Sequence, residues 1–291
     1  MSRGLDHVVH AVRDLDAAAA LYRRLGFMVG ARNRHPPAWG TQNHIIQLPG
    51  FFVELLGLAD TSQIVPHRPQ FFSFGAFNRD FLARGEGLSM LVLEGRDAAA
   101  DTAAFRAAGI GDFDTFNFER TARRPDGTAV TVAFSLAFAR DPRAPDIGFF
   151  TCRQHFPENF WNPEFQQHAN SASAIAGVVL VADNPSDHHV FLSALSGERD
   201  LRATSSGITV TTPRGEIQVM PPAAFLDRFG VQPPDTERGA RLAALRVAVR
   251  DFDTAAEAVR CSGLAVIIRM GRAVVGPEQA MGATLVLEPG R

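Results

Sequence analysis

The chain has 291 residues, of which 46% are hydrophobic and 21% are charged, a composition typical of a folded globular protein rather than a disordered one. Its 29 lysine and arginine residues nearly balance its 31 aspartate and glutamate residues, and the net charge of -2 indicates no nucleic acid or anionic membrane as a partner. The sequence shows no signal peptide and no apolar run long enough to span a membrane, so we expect a cytoplasmic protein.

A sequence pattern that begins at Leu5 occurs four times along the chain. Each copy has an aliphatic run, an aspartate, an alanine- or leucine-rich amphipathic segment and a final glycine. The copies cover residues 5–26, 88–109, 175–197 and 242–263. In the first, second and fourth copies the aspartate and the glycine are 12 positions apart, and in the third copy they are 14 apart. Such internal repetition predicts one structural unit that is used four times.

The repeated pattern predicts a buried strand that leads into a helix. An apolar run without helical periodicity is typical of a buried strand, and aspartate is a favoured helix N-cap. In the first copy Ala18, Leu21 and Leu25 recur at helical spacing and place an apolar stripe against a sheet. The glycine then allows the positive φ angle with which many helices end.

Further strand-like segments follow each helix, separated by turns that contain Gly, Pro and Asp, such as RRPDG. Every module therefore has the order β-α-β-β-β, and four modules account for nearly the whole chain. We predict an α+β protein of two units. Residues 1–170 contain modules one and two and an aromatic linker, and residues 171–291 contain the more degenerate modules three and four.

This module, used in pairs and opening with LDHVVHAVRDLDAAAALYRRLGF, resembles the vicinal oxygen chelate superfamily, which includes glyoxalase I, extradiol dioxygenases and bleomycin-resistance proteins. Three further stretches resemble its bacterial glyoxalase-like domain branch: RHPPAWGTQNHIIQL, RRPDGTAVTVAFSLAF and CRQHFPENFWNPEFQQHANSA. The resemblance covers residues 5 to about 172, whereas the last two modules match only the general fold. It implies that paired modules form curved mixed sheets, and that these cup-shaped half-barrels bind a small-molecule substrate.

The resemblance implies a metal site, because ligands in this superfamily project into the cup from the first and last strands of a module. His7 on the first strand and Glu54 on the fourth occupy these positions. Imidazole and carboxylate suit a divalent Fe, Ni, Zn or Mn ion that keeps positions open for substrate oxygens. Glu54 lies among phenylalanines and leucines, where burial of a carboxylate requires a compensating cation or donor. We therefore expect the two side chains within about 3 to 5 Å of each other, joined by an ion, a hydrogen bond or a shared water.

The third metal ligand is less clear than the first two. Alignment on the helix-capping aspartates places Met90 and Ala244 where a second histidine would stand. The best candidate is His155, at the end of the fourth strand of module two. Because side chains alternate between the two faces of a strand, Gln154 or Cys152 could be the inward residue instead.

The segment after His155, FPENFWNPEFQQHANSA, is unusually aromatic for a linker. It either packs across the junction of the two halves or caps the cup. In the second case Glu158 and His168 face the cavity as acid-base groups, together with Glu54, or as substitute metal ligands.

Aromatic walls with a few convergent polar groups are typical of small-molecule pockets. Five residues are candidates for such walls: His35, Trp39, Asn43, Gln154 and Trp161. His44 has the opposite strand parity to Asn43 and is expected outside the cup. His188 and His189 are adjacent on a predicted helix and point about 100° apart, so they cannot share an ion, and we expect both at the solvated surface.

Three functions remain open. The first is a divalent-metal-dependent lyase or isomerase of the glyoxalase-like kind that acts on a small carbonyl or hydroxyl compound. The second is an extradiol-type ring-cleaving dioxygenase, although such enzymes carry the metal in the second pair of modules, where this chain places Ala244 opposite Glu288. The third is a metal-free binding or resistance protein. The four modules are compatible with a monomer or a homodimer.

Overall fold

The computed structural model describes residues 2–123 and 127–290. Residues 124–126, which belong to the stretch RRPDG, lie outside the described residues, so the turn expected there stays a prediction. Within the described ranges, no helix has both the length and the apolar character needed to cross a membrane.

The described chain contains two sheets of eight strands each. The first sheet contains β1 Leu5–Ala11, β2 Asn33–Arg34, β3 Thr41–Leu48, β4 Phe51–Leu58, β5 Gly87–Glu94, β6 Phe116–Arg123, β7 Ala129–Ala139 and β8 Gly148–Gln154. The second contains β9 Ala172–Val181, β10 Leu201–Thr204, β11 Gly207–Thr211, β12 Glu216–Met220, β13 Arg241–Val249, β14 Val266–Arg269, β15 Arg272–Val275 and β16 Thr284–Pro289. The helices are α1 Leu15–Arg24, α2 Phe74–Arg84, α3 Ala98–Ala107, α4 Pro157–Phe160, α5 His189–Ser196, α6 Pro222–Phe229 and α7 Phe252–Cys261.

The strand order confirms the four predicted βαβββ modules, which begin at β1, β5, β9 and β13. The orders are β2-β3-β4-β1-β5-β8-β7-β6 and β10-β11-β12-β9-β13-β16-β15-β14. In each module the first and last strands are parallel. Two modules then meet through antiparallel first strands, β1 with β5 and β9 with β13. Each curved sheet is therefore mixed, and each is built from the two modules of one half.

Three of the four predicted helix N-caps are confirmed. The carboxylates of Asp14, Asp97 and Asp251 accept hydrogen bonds from backbone N–H groups in the first turns of their helices. Asp183 does not cap α5, because the 3-10 turn Pro185–His188 comes before that helix. This turn accounts for the longer spacing in the third repeat. All four closing glycines have positive φ angles, of 84°, 68°, 74° and 74°.

Three helices, α2, α4 and α6, lie between modules and have no counterpart in the repeat pattern. Ser73 caps α2, and Pro222 occupies the first turn of α6. Phe74 of α2 packs into the apolar cluster on the concave face of the first sheet. Phe225 and Phe229 of α6 do the same in the second sheet. Each connection therefore covers part of a cup.

The convex faces of the two sheets share one hydrophobic core. Val8 and Leu91 of the first sheet belong to the same buried cluster as Val178 and Leu245 of the second. The intervening helices contribute Tyr22, Phe105, Phe191 and Val259. Because this cluster contains residues of both halves, each half buries part of its apolar surface against the other.

His188 corrects one expectation about the surface. Its side chain is buried, with Nδ1 2.7 Å from a carboxylate oxygen of Asp141 in the first half. The 3-10 turn in front of α5 directs His188 inward, whereas His189, the first residue of the helix, is exposed as expected.

Two other buried histidines also hold segments together. His10 on β1 lies between the Tyr22 hydroxyl and the Met281 carbonyl oxygen of the second half, at 3.0 Å from each. His168, in the segment between the halves, is hydrogen-bonded through both ring nitrogens to the first half. Burial lowers the pKa of both imidazoles below the usual histidine value, although their hydrogen bonds to backbone carbonyls oppose this shift.

We expect the free energy of unfolding to fall as the pH is lowered from about 7.5 to about 5.5. Burial keeps His10 and His168 neutral in the folded chain, so the unfolded chain binds more protons below its histidine pKa of about 6.5. As the pH falls, the loss of unfolding free energy starts near the unfolded pKa and ends at the lower folded pKa. Its slope is no more than about 1.4 kcal/mol per pH unit for each histidine. Urea unfolding across this pH range measures it.

The matched variants are His168→Gln and His189→Gln. The first should flatten the pH dependence, because it removes one buried titrating group. The second should not change it, because His189 is exposed. If the unfolding free energy depends on pH equally in both variants and the wild type, His168 is not one of the buried histidines that cause this dependence.

Candidate functional site

The concave face of the first sheet lines a cavity of about 70 Å³ that opens to solvent at its mouth. It is lined by His7, His35, Trp39, Asn43, Ile45, Phe52, Glu54, Phe74, Phe118, Arg120, Phe134, Leu136, Phe150, Cys152 and Phe160. Seven of these fifteen residues are phenylalanine or tryptophan, and five are polar, a mixture that suits a small-molecule site. Five of the residues selected from the sequence thus lie in one place: His7, His35, Trp39, Asn43 and Glu54.

A β-bulge in β1 brings Asp6 beside His7. In the pairing with β5, Leu5 and His7 face consecutive residues of β5, so Asp6 is the extra residue. The buried Asp6 Oδ1 lies 2.5 Å from His7 Nδ1, and Phe52 stacks on the imidazole with ring centroids 4.1 Å apart. These contacts fix the ring, and Nε2 has no hydrogen bond to any other described residue.

A chain of hydrogen bonds holds Glu54 on β4. The Asn43 side-chain amide donates to Glu54 Oε1 at 2.6 Å, and the same nitrogen lies 3.1 Å from His35 Nε2. His35 Nδ1 lies 2.8 Å from Thr41 Oγ1. Burial lowers the pKa of His35, although the charge of Glu54 opposes the shift. The neutral ring therefore accepts from Asn43 at Nε2 and donates from Nδ1 to Thr41.

Asn43 retains one unsatisfied group at the cavity. Both of its amide protons are used, but its Oδ1 is buried and has no protein partner among the described residues. Unsatisfied buried acceptors are rare in folded proteins and cost free energy. This atom is therefore an acceptor that a bound ligand could use.

His7 and Glu54 line the same cavity but have different partners. No contact within 4.0 Å joins the imidazole and this carboxylate in the described structure. The strand register is the reason: His7 faces Phe52 on β4, whereas Glu54 faces Val9, two residues further along β1. The direct hydrogen bond that we expected between them is therefore not formed.

Strand parity places Cys152 where we expected His155. Phe150 and Cys152 point from β8 into the cavity. His155 lies just beyond the strand, is exposed, and has its Nε2 2.7 Å from Ser135 Oγ on the other face. His155 therefore does not join the other two expected metal ligands.

Asp6, His7 and Cys152 form a buried group with the donor chemistry of a metal site. Each offers one ligand atom, and these atoms lie within 4.8 Å of one another. Burial raises the pKa of the Cys152 thiol well above its usual value, and the charges of Asp6 and Glu54 raise it further. The repeat pattern gave no sign of Asp6, because a β-bulge changes strand parity without a clear sequence signal.

The acid-base residues expected in the linker lie away from the cavity. Glu158 is exposed in the first turn of α4. His168 accepts a hydrogen bond from the Met28 N–H at 3.0 Å and donates one to the Gln47 carbonyl oxygen at 2.7 Å. Both ring nitrogens of His168 are thus used to hold the linker on β3, so neither is free for acid-base chemistry.

The linker covers the cup with an aromatic side chain rather than with Glu158 or His168. Phe160 lines the cavity, and Trp161 packs behind it with ring centroids 4.9 Å apart. Gln154, another expected pocket residue, donates to Asp6 Oδ2 at 3.4 Å, outside the cavity lining. Trp161 therefore supports the wall from behind, and Gln154 contacts Asp6 at the end of β8.

Arg120 on β6 lines the cavity, although its sequence context does not single it out. Among the described residues, no carboxylate oxygen lies within 4.0 Å of its guanidinium group. Burial lowers the pKa of Arg120, and the charge of Glu54 opposes this shift. The cavity therefore contains a charged side chain with no close ionic partner.

Module two offers no metal donors at the positions related to those of module one. Counted along the matching strand pairs β1–β4 and β5–β8, His7 and Glu54 correspond to Met90 and Phe150. A thioether and a phenyl ring do not bind hard or borderline cations. An ion in this cup would therefore be held by an asymmetric set of ligands.

A buried ion-pair network occupies the second cup. Arg246 on β13 has a fully buried guanidinium that lies 3.3 Å from Glu216 and 2.5 Å from Glu288. Arg272 lies 2.8 Å from Glu288. Burial alone would raise the pKa of Glu288, but Arg246 and Arg272 outweigh it and hold that pKa below its usual value. Glu288 is therefore a salt-bridge partner of two arginines.

We expect Arg246→Met to lower the free energy of unfolding by about 3–5 kcal/mol, because it removes the buried guanidinium that pairs with both Glu216 and Glu288. Urea unfolding measures the loss. Arg272→Met should cost less, since Glu288 keeps its contact with Arg246. Combining Arg246→Met with Glu216→Gln and Glu288→Gln should restore much of the stability, and a loss below about 1 kcal/mol in the single variant would contradict the role of this network.

The comparisons agree with this fold and its cup. Residues 5–196 match the glyoxalase-like domain family, which is more than half of the chain, and the chain belongs to that family. Its fold is that of the vicinal oxygen chelate superfamily. No curated protein matches it by sequence.

Two solved structures cover the whole architecture. A hypothetical protein from Staphylococcus aureus has a TM-score of 0.70 at 10% identity, over 99% of this chain and 100% of that chain. A mutant of 4-hydroxymandelate synthase from Streptomyces coelicolor has a TM-score of 0.61 at 12% identity, over 100% of this chain and 94% of that chain. At such low identities these likenesses show the fold alone.

Proposed function

We propose that the first half of the chain is a divalent-metal-dependent lyase or isomerase that acts on a small carbonyl or hydroxyl compound bound in the cup. One observation carries the proposal: the donor atoms of Asp6, His7 and Cys152 lie within 4.8 Å of one another. This group lies at an aromatic cavity that also contains a buried, hydrogen-bonded Glu54.

The chemistry of the donor set fits a divalent ion. Carboxylate, imidazole and thiolate are all ligands that zinc accepts, and the thiolate favours zinc over manganese. His7 Nδ1 contacts Asp6, as in the carboxylate-histidine arrangement that orients metal-binding imidazoles, so His7 Nε2 and Cys152 would bind the ion while Asp6 would hold the ring. When bound, the ion would act as a Lewis acid on a substrate oxygen.

Glu54 is the residue best placed to move a proton. Asn43 holds its Oε1, while Oε2 has no hydrogen bond to another described residue. A carboxylate positioned in this way can take a proton from a carbon next to a carbonyl group and return it to the product. The aromatic walls limit the access of water to the same space.

Protein purified without a metal-chelating tag should contain about one divalent ion per chain. We expect His7→Ala and Cys152→Ser to reduce the metal-to-protein ratio measured by elemental analysis, because each removes a ligand atom. Cys261→Ser is the matched control, since Cys261 is the exposed cysteine. Metal-free wild-type protein that also fails to take up zinc, iron, nickel or manganese would contradict the proposal.

Glu54→Gln should slow proton exchange at the carbon next to the carbonyl by at least about 100-fold, because general-base catalysis contributes that much. The measurement is NMR detection of deuterium uptake from D2O by a panel of small 2-oxo acids and hydroxy ketones. Glu158→Gln, on the exposed surface, should keep the wild-type rate. An unchanged rate in Glu54→Gln would exclude this role.

A metal-free binding or resistance protein is the second candidate, and the apolar Met90 and Phe150 at the related positions of module two favour it. The extradiol-type dioxygenase has less support, because Arg246 and its glutamates occupy the cup in which such enzymes hold their metal. The cytoplasmic location and the monomeric or homodimeric state stay predictions from the sequence.

A further inference from the structure

We infer that the ligand of the first cup carries a negatively charged group, which the Arg120 guanidinium binds, on an aromatic or similarly flat apolar body. This deepens the proposed function, since it rests on the cup being a ligand site. It does not depend on whether the cup also holds a metal ion.

Arg120 supplies the main argument, because it is the charged group of the cavity wall whose partner is missing. Within the described chain, no carboxylate lies within 4.0 Å of its guanidinium. Glu54 is the charged neighbour that acts on it, but the Glu54 carboxylate is held by Asn43. Arginine presents a planar fork of donors that matches a carboxylate or phosphate, so an anionic ligand would satisfy it with two parallel hydrogen bonds.

The rings around Arg120 indicate the body of the ligand. Trp39 lies with its ring centroid 4.7 Å from that of Phe74 and 5.1 Å from that of Phe118. Phe118 and Phe134 are nearly parallel, at an interplanar angle of 11°. Such walls contact flat apolar groups over a large area and gain further from offset ring stacking.

The aromatic lining alone would also suit an organic cation, so the charge of the ligand must be decided by the polar groups. Asp6 is already hydrogen-bonded to His7, and Glu54 to Asn43. Arg120 has no such partner, and the unsatisfied Oδ1 of Asn43 calls for a donor such as a hydroxyl group. The Arg120 guanidinium and Asn43 Oδ1 together favour an anionic ligand with a hydroxyl or enol group. The substrate class that fits both is therefore aromatic hydroxy or oxo acids.

The test measures the charge preference of the cup with matched probes. Benzoate and phenylacetate are compared with their neutral amides, benzamide and phenylacetamide, and with the cation benzyltrimethylammonium. Binding is followed by the fluorescence of Trp39, with Trp161→Phe as the background because Trp161 does not line the cavity. We expect the carboxylates to bind at least about tenfold more tightly than the amides, since a charged hydrogen bond is worth that much.

Arg120→Gln should remove this preference while the affinity for the amides stays the same. Arg153→Gln is the matched control, because it removes an exposed arginine of β8 and should keep the preference. Equal affinity for acids and amides, tighter binding of the cation, or no binding of any probe would overturn the inference.

His7→Ala separates this inference from the metal proposal. If the preference survives Arg120→Gln but is lost in His7→Ala, the anion binds a metal ion and the role of Arg120 is wrong. If the protein holds no metal but Arg120→Gln still removes the preference, the metal proposal fails and the anion site stands. Elemental analysis should show the wild-type metal content in Arg120→Gln, because Arg120 belongs to none of the donor groups.

Discussion

The burial of carboxylates in an apolar cup is the constraint on which the rest of the site depends. A carboxylate taken out of water must be compensated by donors or by a cation, or its ionised form is too costly to keep. Asp6 and Glu54 are both buried in the first cup, and their close partners are His7 and Asn43. No arginine lies within ion-pair distance of either in the described chain. The compensation therefore comes from an imidazole and an amide rather than from an arginine, and Arg120 is left without a carboxylate partner in the described chain.

The second cup compensates its buried carboxylates with arginines. Arg246 places a full positive charge between Glu216 and Glu288, and the helix α6 covers the remaining surface with phenylalanines. Both buried carboxylates there therefore have an arginine partner. Two halves with one topology thus compensate their buried carboxylates differently, because arginines pair with those of the second cup and none pairs with those of the first in the described chain. The repeat supplies the scaffold, and a few residues on each concave face set the charge of that cup.

The modular fold could be predicted from the sequence because its signals are local. The apolar run, the capping aspartate and the closing glycine lie within one strand and one helix, and each acts on its own segment. Three pocket residues, His35, Trp39 and Asn43, lie within a stretch that resembles the family, and they line the cavity. The helices α2 and α6 lie outside the repeats, where no such periodic signal was available.

The metal ligands depend on register and could not be placed in the same way. A single step along a strand moves a side chain to the opposite face, so the choice between Cys152 and His155 was undecided until β8 was paired with its neighbours. The bulge at Asp6 has the same effect on β1. Arg120 was overlooked because an arginine on a hairpin strand is ordinary. Arg120 is notable only because no carboxylate pairs with it in the described structure. That observation requires the folded chain and cannot be made from the sequence.

The contact between Asp6 and His7 links the two chemistries that this cup could perform. A proton on Nδ1, donated to Asp6, leaves the lone pair of Nε2 free. That lone pair can bind an ion or accept a proton from a ligand, but it cannot do both at once. With an ion bound, proton transfer falls to Glu54, whose Oε2 has no partner in the described structure. Without an ion, the same lone pair would let His7 act as a second base beside Glu54. Under the proposed function, the occupancy of Nε2 would therefore decide whether one or two buried residues can accept the proton.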